Sequence, residues 1–453
     1  MPRLSRPPAG SLKSGDLAPV LALLKKANAS VAAAFPGESG DRQPVHTVYG
    51  GAHLFRSDSA RKLGVVALGV LDEYAPDAET FAQALGLAPA GLAGTIRARV
   101  VEKLRREPVE DFRIDFEDGY GNRPDDEEDG HAQSAADEVA KAHAAGTLPP
   151  FIGIRIKPMS RELHARSLRT LDLFVTALAR AARGRLPPNF VITIPKLMTT
   201  AHVSAVARAC DALERRLALK PSGALKLELM IETPQSILGS DGSSVLRALV
   251  EAGRGRVTGA HFGTYDYTAL CGITAAWQHM RHDACDFAKH MMQVALAQTG
   301  VRLSDGATNI MPVAPHRAVT AEAQRRENHQ VVHHAWKVHF DDVTHSLVNG
   351  FYQGWDLHPA QLPTRYAALF AFFLSARPAA TARLRNFVEK AAQATLVGDV
   401  FDDAATGQGL LNFFVRGLNS GALTLDEARE TGLTLEDLQA RSFLKILAAR
   451  RRE

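Results

Sequence analysis

The chain has 453 residues, 46% of them hydrophobic and 23% charged, with a formal net charge of +4. This is ordinary globular composition and excludes a disordered or collagen-like polymer. The basic residues are scattered apart from the run Arg450–Arg452, expected to be a solvated end, so a nucleic-acid partner is not expected. Cys210, Cys271 and Cys285 form no CxxC pair, which argues against a disulfide framework or a thiolate zinc site and for a reducing, cytoplasmic setting.

Residues 1–40 read as a lead-in carrying one helical stretch, "PVLALLKKANASVAAAF". Pro7 and Pro8 break any targeting helix there. The most continuous apolar run, "LGVVALGVL" at Leu63–Leu71, is too short to cross a bilayer, so no membrane partner is expected. Short β-type runs then alternate with helical segments. The predicted strands are Val45–Tyr49, Phe112–Glu117, Phe151–Lys157, Phe190–Lys196, Lys226–Glu232, Arg256–Gly263, Asn309–Val313 and Gly350–Leu357. Several are apolar nearly throughout, as strands covered on both faces should be. Long amphipathic stretches such as Ser160–Arg183 and Thr199–Leu219 separate them. Eight β/α alternations predict a closed (β/α)₈ barrel over residues 41–360. An open doubly wound sheet ranks second, since no GxGxxG follows the early strands. Residues 361–453 read as a helical extension whose last helices begin at Thr424-x-x-Glu427 and Thr434-x-x-Asp437.

The strand ends share a chemical pattern. The second closes in Asp115, Glu117 and Asp118, the third in Arg155 and Lys157, and the fourth in Lys196. The fifth closes in Glu232, the sixth runs into "GTYDY" with Asp266, and the eighth into Asp356 and His358. In a barrel these ends open on one mouth, where active sites of this fold sit. Asp115 and Glu117, two apart, share a strand face, with Arg155, Lys157 and Lys196 expected opposite. Oxygen donors left over suit Mg²⁺ or Mn²⁺ better than Zn²⁺.

The ordered segments "RIDFEDG", "GIRIK", "TIPKL", "LELMIETPQSI" and "HFGTYDYTALCG" resemble the HpcH/HpaI aldolase–citrate lyase β-subunit superfamily, over roughly Asp111–Pro359. The resemblance implies a phosphoenolpyruvate/pyruvate-type barrel in which Glu232 and Asp266 hold Mg²⁺, which chelates a 2-oxo acid, and Arg155 stabilises an enolate oxygen. Gly263 and Thr264 become candidate substrate contacts. Lys196, Glu117, Asp118 and His358 complete the candidate catalytic set, with the acids as supports more than as the base. Lys157 departs from the asparagine common in relatives. The expected partner is a small 2-oxo acid or an acyl-CoA, and the resemblance leans to a homo-oligomer.

Alternatives stay open. Lys196 could instead form a Schiff base. Asp356 and His358 could serve acid–base chemistry or simply close a rigid turn. His279, His282, Asp286 and His290, and His329 with His333, follow helical spacing but sit in no HExxH frame, so packing or surface roles are expected. The "GGAH" stretch, Gly50–His53, could approach a carboxylate through its backbone. The reaction expected is carbon–carbon lyase or aldolase chemistry through an enolate. A phosphoenolpyruvate phosphotransfer enzyme with the same site is the second reading, and a non-catalytic metabolite-binding barrel the third.

Overall fold

A computed structural model describes residues 10–37, 41–87, 90–389, 395–397, 400–402, 404–440 and 446; the Arg450–Arg452 run lies outside them. Eight parallel strands form the core: β1 (His46–Gly51), β2 (Asp111–Asp115), β3 (Phe151–Arg155), β4 (Phe190–Ile194), β5 (Lys226–Ile231), β6 (Val257–Phe262), β7 (Arg302–Ser304) and β8 (Gly354–Asp356). They are hydrogen-bonded in the order β7-β6-β5-β4-β3-β2-β1-β8. A parallel bridge between Ala307 and Trp355 closes the ring between β7 and β8. This is the (β/α)₈ barrel.

The outward residues explain why the strands form. Ile152 and Ile154, Ile192 and Ile194, and Leu227 and Leu229 are buried in one hydrophobic cluster with the surrounding helices. Alternation along each strand then turns the intervening polar residues into the lumen. One lumen layer is a closed ionic network. The Arg113 guanidinium donates to Asp111 (2.5 Å), Thr193 (2.9 Å) and Glu228 (2.8 Å). Thr47 donates to Asp111, Thr193 to Glu228, and His261 stands 2.8 Å from Glu228.

The seventh strand is a correction. "NIMPV" is not a strand, because the ladder uses Arg302–Ser304 before it. Pro312 cannot donate to a ladder, and Ile310 and Val313 are exposed. The helix after β8, Leu362–Glu389, buries most of its first half, Leu362–Leu374, and takes the eighth helical position. Beyond it the tail is not helical throughout: Thr395–Val397 and Val400–Asp402 pair as an antiparallel ribbon. The start signals at Thr424 and Thr434 do cap helices, with reciprocal bonds to Glu427 and Asp437.

The lead-in forms one helix, Ser14–Ala34, with no buried residue. Among the described residues it is the one helix long and apolar enough to cross a membrane by length and composition. Lys25 and Lys26 stand near its middle, and each costs about 2.5–3.5 kcal/mol at the centre of a membrane helix. With Pro19 also inside it, the helix is a poor span.

Candidate active site

Residues from five strand ends meet over the C-terminal mouth. Arg155, at the end of β3, is buried and chelated by Asp115 of β2, with Nε to Oδ1 at 2.7 Å and Nη2 to Oδ2 at 2.6 Å. Its Nη1 lies 2.9 Å from Glu117. Burial works against the guanidinium charge, but Asp115 and Glu117 outweigh it and raise the pKa. Two aromatic rings grip the same group, Tyr49 of β1 at 4.8 Å and Trp355 of β8 at 5.2 Å. Arg155 is thereby held in one orientation. Asp115 also accepts from the backbone N–H groups of Glu117 and Gly119, which shapes the turn after β2.

Lys196 follows β4 with φ +49°. That left-handed backbone costs a non-glycine residue about 1–3 kcal/mol. It aims the Lys196 N–H at Glu232, 2.6 Å away, and swings the ammonium over the mouth. There Nζ contacts Glu117, lies 3.1 Å from Asp118 and 3.3 Å from Asp266. Partial burial opposes the charge, yet Glu117, Glu232 and Asp266 hold the ammonium above its ordinary pKa. An amine so protonated is a poor Schiff-base nucleophile. Burial would likewise raise the pKa of Asp118, but Lys196 and then Arg155 more than offset it.

Burial raises the pKa of Glu117 despite Arg155 and Lys196, and Glu232 is under-compensated too. Burial first, and the Asp266 carboxylate second, push its pKa up to about 7. It sits in a cradle made by Gly263, where a Cβ would come within 2.5 Å of Oε2. Asp266 lies in the first turn of the helix Thr264–Leu270 and remains partly exposed. The mouth thus collects Asp115, Glu117, Asp118, Glu232 and Asp266 around two cations, Arg155 and Lys196. Among the described residues no group of three or more His, Cys, Asp or Glu is arranged to hold a metal. The two-carboxylate set of Glu232 and Asp266 still fits Mg²⁺, which commonly takes one or two protein carboxylates and completes its shell with water and substrate. The negative excess around Glu232 is the kind a divalent cation offsets.

Other predicted residues lie elsewhere. Lys157 does not face the mouth: its ammonium bonds the Phe116 carbonyl at 2.7 Å and pairs with Glu128 at 3.2 Å, because the chain turns after Arg155. Asp356 points outward and is consumed by His46 (2.8 Å), His339 (3.0 Å) and Arg365 (2.8 Å). His358 accepts the Ala360 N–H and caps a short 3₁₀ turn. Thr264, beside Asp266, keeps a buried hydroxyl with no partner. In the histidine-rich helices, His333 bonds the Tyr74 carbonyl and stacks on Trp336, and His282 caps the helix Asp283–Leu296. Gly51 of "GGAH" packs against the Gly119 carbonyl. Tyr49 and Trp355 were not foreseen, since aromatics in apolar strands read as core; their inward alternation with Thr47 and Gln353 was the available signal.

Residues 24–446 match the family model described as "Domain of unknown function (DUF6986)". The chain belongs to the DUF6986 family. No curated protein matches this DUF6986 chain. Among solved structures it is similar to a citrate lyase from Burkholderia xenovorans LB400, with TM-score 0.57 and 18% identity over 86% of this chain and 97% of that one. It also aligns with a malate synthase from Haloferax volcanii in complex with lead(II), at TM-score 0.46 and 13% identity over 92% and 99%. CitE from Mycobacterium tuberculosis, in complex with magnesium, acetoacetate and coenzyme A, aligns at TM-score 0.44 and 14% identity over 84% and 100%. The first of these likenesses upholds the HpcH/HpaI-type resemblance at the level of fold.

Proposed function

We propose that this DUF6986 protein is a Mg²⁺-dependent carbon–carbon lyase or aldolase acting through the enolate of a small 2-oxo acid or acyl thioester. The observation that carries the reading is the charge balance of the mouth: five carboxylates face two cations, and the most buried of the metal-ligand pair, Glu232, is pushed up to about 7. Glu232 and Asp266 would hold the metal, which when bound polarises a substrate carbonyl and lowers the cost of enolate charge.

The chain's own groups do the rest. Asp115 takes two of the five guanidinium N–H groups of Arg155. The Nη1 edge, beside Glu117, keeps donors for an oxygen in the mouth. A donor fixed before reaction strengthens as negative charge develops on that oxygen, an effect worth about 10²–10³ in rate. The unpaired Thr264 hydroxyl is a ready donor to a substrate carboxylate. Lys196 pairs with Glu117 and Asp118 while it limits the negative field that an anionic substrate must enter. The fold shared with a citrate lyase supports the reaction class.

The test is deuterium exchange at the methyl group of pyruvate and of acetyl-coenzyme A, followed by NMR in D₂O with Mg²⁺, with chelator, and with Glu232→Ala protein. Metal-dependent exchange that Glu232→Ala abolishes is the expected result. Absence of exchange from both donors under every condition would overturn the enolate reading.

A further inference from the structure

The opposite end of the barrel holds a charged cavity. Strand starts and the loops before them enclose about 640 Å³, within the size range of small-ligand pockets, about 300–1,000 Å³. Its floor is the inner layer of Asp111, Arg113 and Glu228. Its wall carries Lys226 and Arg302, the first residues of β5 and β7, and its rim Arg185 and Lys220. Five basic side chains therefore face two carboxylates, an excess of three positive charges.

Those charges are available. Arg113 is committed to Asp111 and Glu228. Among the described residues, Arg185, Lys220, Lys226 and Arg302 make no ion pair or side-chain hydrogen bond. Arg302 is half-buried over the Phe151 ring at 5.3 Å. Its burial lowers its pKa, and the carboxylates of Asp41, Glu228 and Asp111 only partly offset this. A desolvated guanidinium with no acceptor is costly, and the N-terminal end of a barrel ordinarily serves stability alone.

We propose that this N-terminal mouth is a second binding site, for a small polyanion with two or three negative charges carried on phosphate groups or on several carboxylates. The Arg302 fork would bind two anionic oxygens side by side. Lys226 would add a point charge deeper in the wall, and Arg185 and Lys220 would draw the ligand to the rim. The two ends of the lumen then have opposite preferences: cation at the C-terminal mouth, polyanion at the N-terminal one. This inference stands apart from the enolate reading and survives its failure.

The test is isothermal titration calorimetry on the full chain with pyrophosphate in one arm and tricarballylate in the other. The proteins are wild type, Arg302→Gln, Lys226→Gln and, at the other mouth, Lys196→Gln. The expected result is saturable binding of at least one probe, weakened about tenfold or more by Arg302→Gln and by Lys226→Gln and retained by Lys196→Gln; the arm that binds identifies the anion type. If circular dichroism shows Arg302→Gln unfolded, Arg302→Lys and Lys226→Gln carry the comparison. No saturable binding at millimolar probe, equal binding by the wall variants, or loss of binding in Lys196→Gln would each overturn the proposal.

Discussion

Two charged layers lie along the same lumen and differ in one respect. Around Arg113 every charged side chain has a partner, although burial still raises the pKa of Asp111: Asp111 and Glu228 share the guanidinium, and Thr47, Thr193 and His261 add contacts. Around Glu232 the answers run short, and a buried carboxylate drifts up to about 7. Both layers are rich in acids, so charge content alone does not separate structure from function here. Compensation does. The inner layer is expected to matter for folding, and the mouth for what it binds.

The largest effect should come from breaking the inner layer. Arg113→Met leaves Asp111 and Glu228 without their shared cation, and breaking a buried pair in this way costs about 3–5 kcal/mol. Urea unfolding should show that loss. A change below about 1 kcal/mol, the scale of an exposed pair, would mean that this layer is no more structural than the mouth.

The next effect is a pH dependence confined to the mouth. The folded-state pKa of Glu232 lies above its ordinary value of 4.5, at about 7. The folded state therefore binds the proton more tightly than the unfolded chain. In metal-free protein the resulting stabilisation is fully present below the unfolded pKa and is lost as pH rises through the folded one. Over that window it amounts to about 3 kcal/mol. Unfolding in chelator at several pH values should show wild type losing this increment relative to Glu232→Gln. Added Mg²⁺ should stabilise wild type increasingly as pH rises through 7, because the metal favours the ionised carboxylate. Parallel pH profiles for the two proteins would remove the distinction between the layers.

Much of this comparison was legible in the residues. Apolar runs such as "FIGIR" and "FVITI" announce strands covered on both faces, and the acid and base endings follow from them. What failed has identifiable causes. β7 is three residues long and half-exposed at its start, so its pattern is weaker than that of "NIMPV" nearby. Lys157 has the spacing of an inward residue, but β3 stops at Arg155 and the chain turns toward Glu128. Asp356 ends its strand as Asp115 does, yet alternation sends the two to opposite sides of the wall. That depends on which register the barrel adopts, which no single strand reveals. The left-handed backbone of Lys196 and the grip of Tyr49 and Trp355 on Arg155 are likewise tertiary facts.

His358, beyond the end of β8, supplies the smallest expected effect. Trp355 faces the lumen against Arg155 and Asp356 faces away, whereas His358 lies past the end of β8 and is placed by the turn it caps. Burial lowers the pKa of His358, and its ring nitrogen accepts the Ala360 N–H at 3.1 Å. A neutral ring with that bond closes a turn and has no contact with Glu117, Lys196 or Asp266 through which to move a proton. His358→Ala should therefore cost about 1 kcal/mol, as loss of a helix-capping group does, and leave any turnover within about twofold. General acid–base groups contribute about 10²–10⁴. A fall in kcat of that size, with the unfolding midpoint unchanged, would put His358 in the mouth.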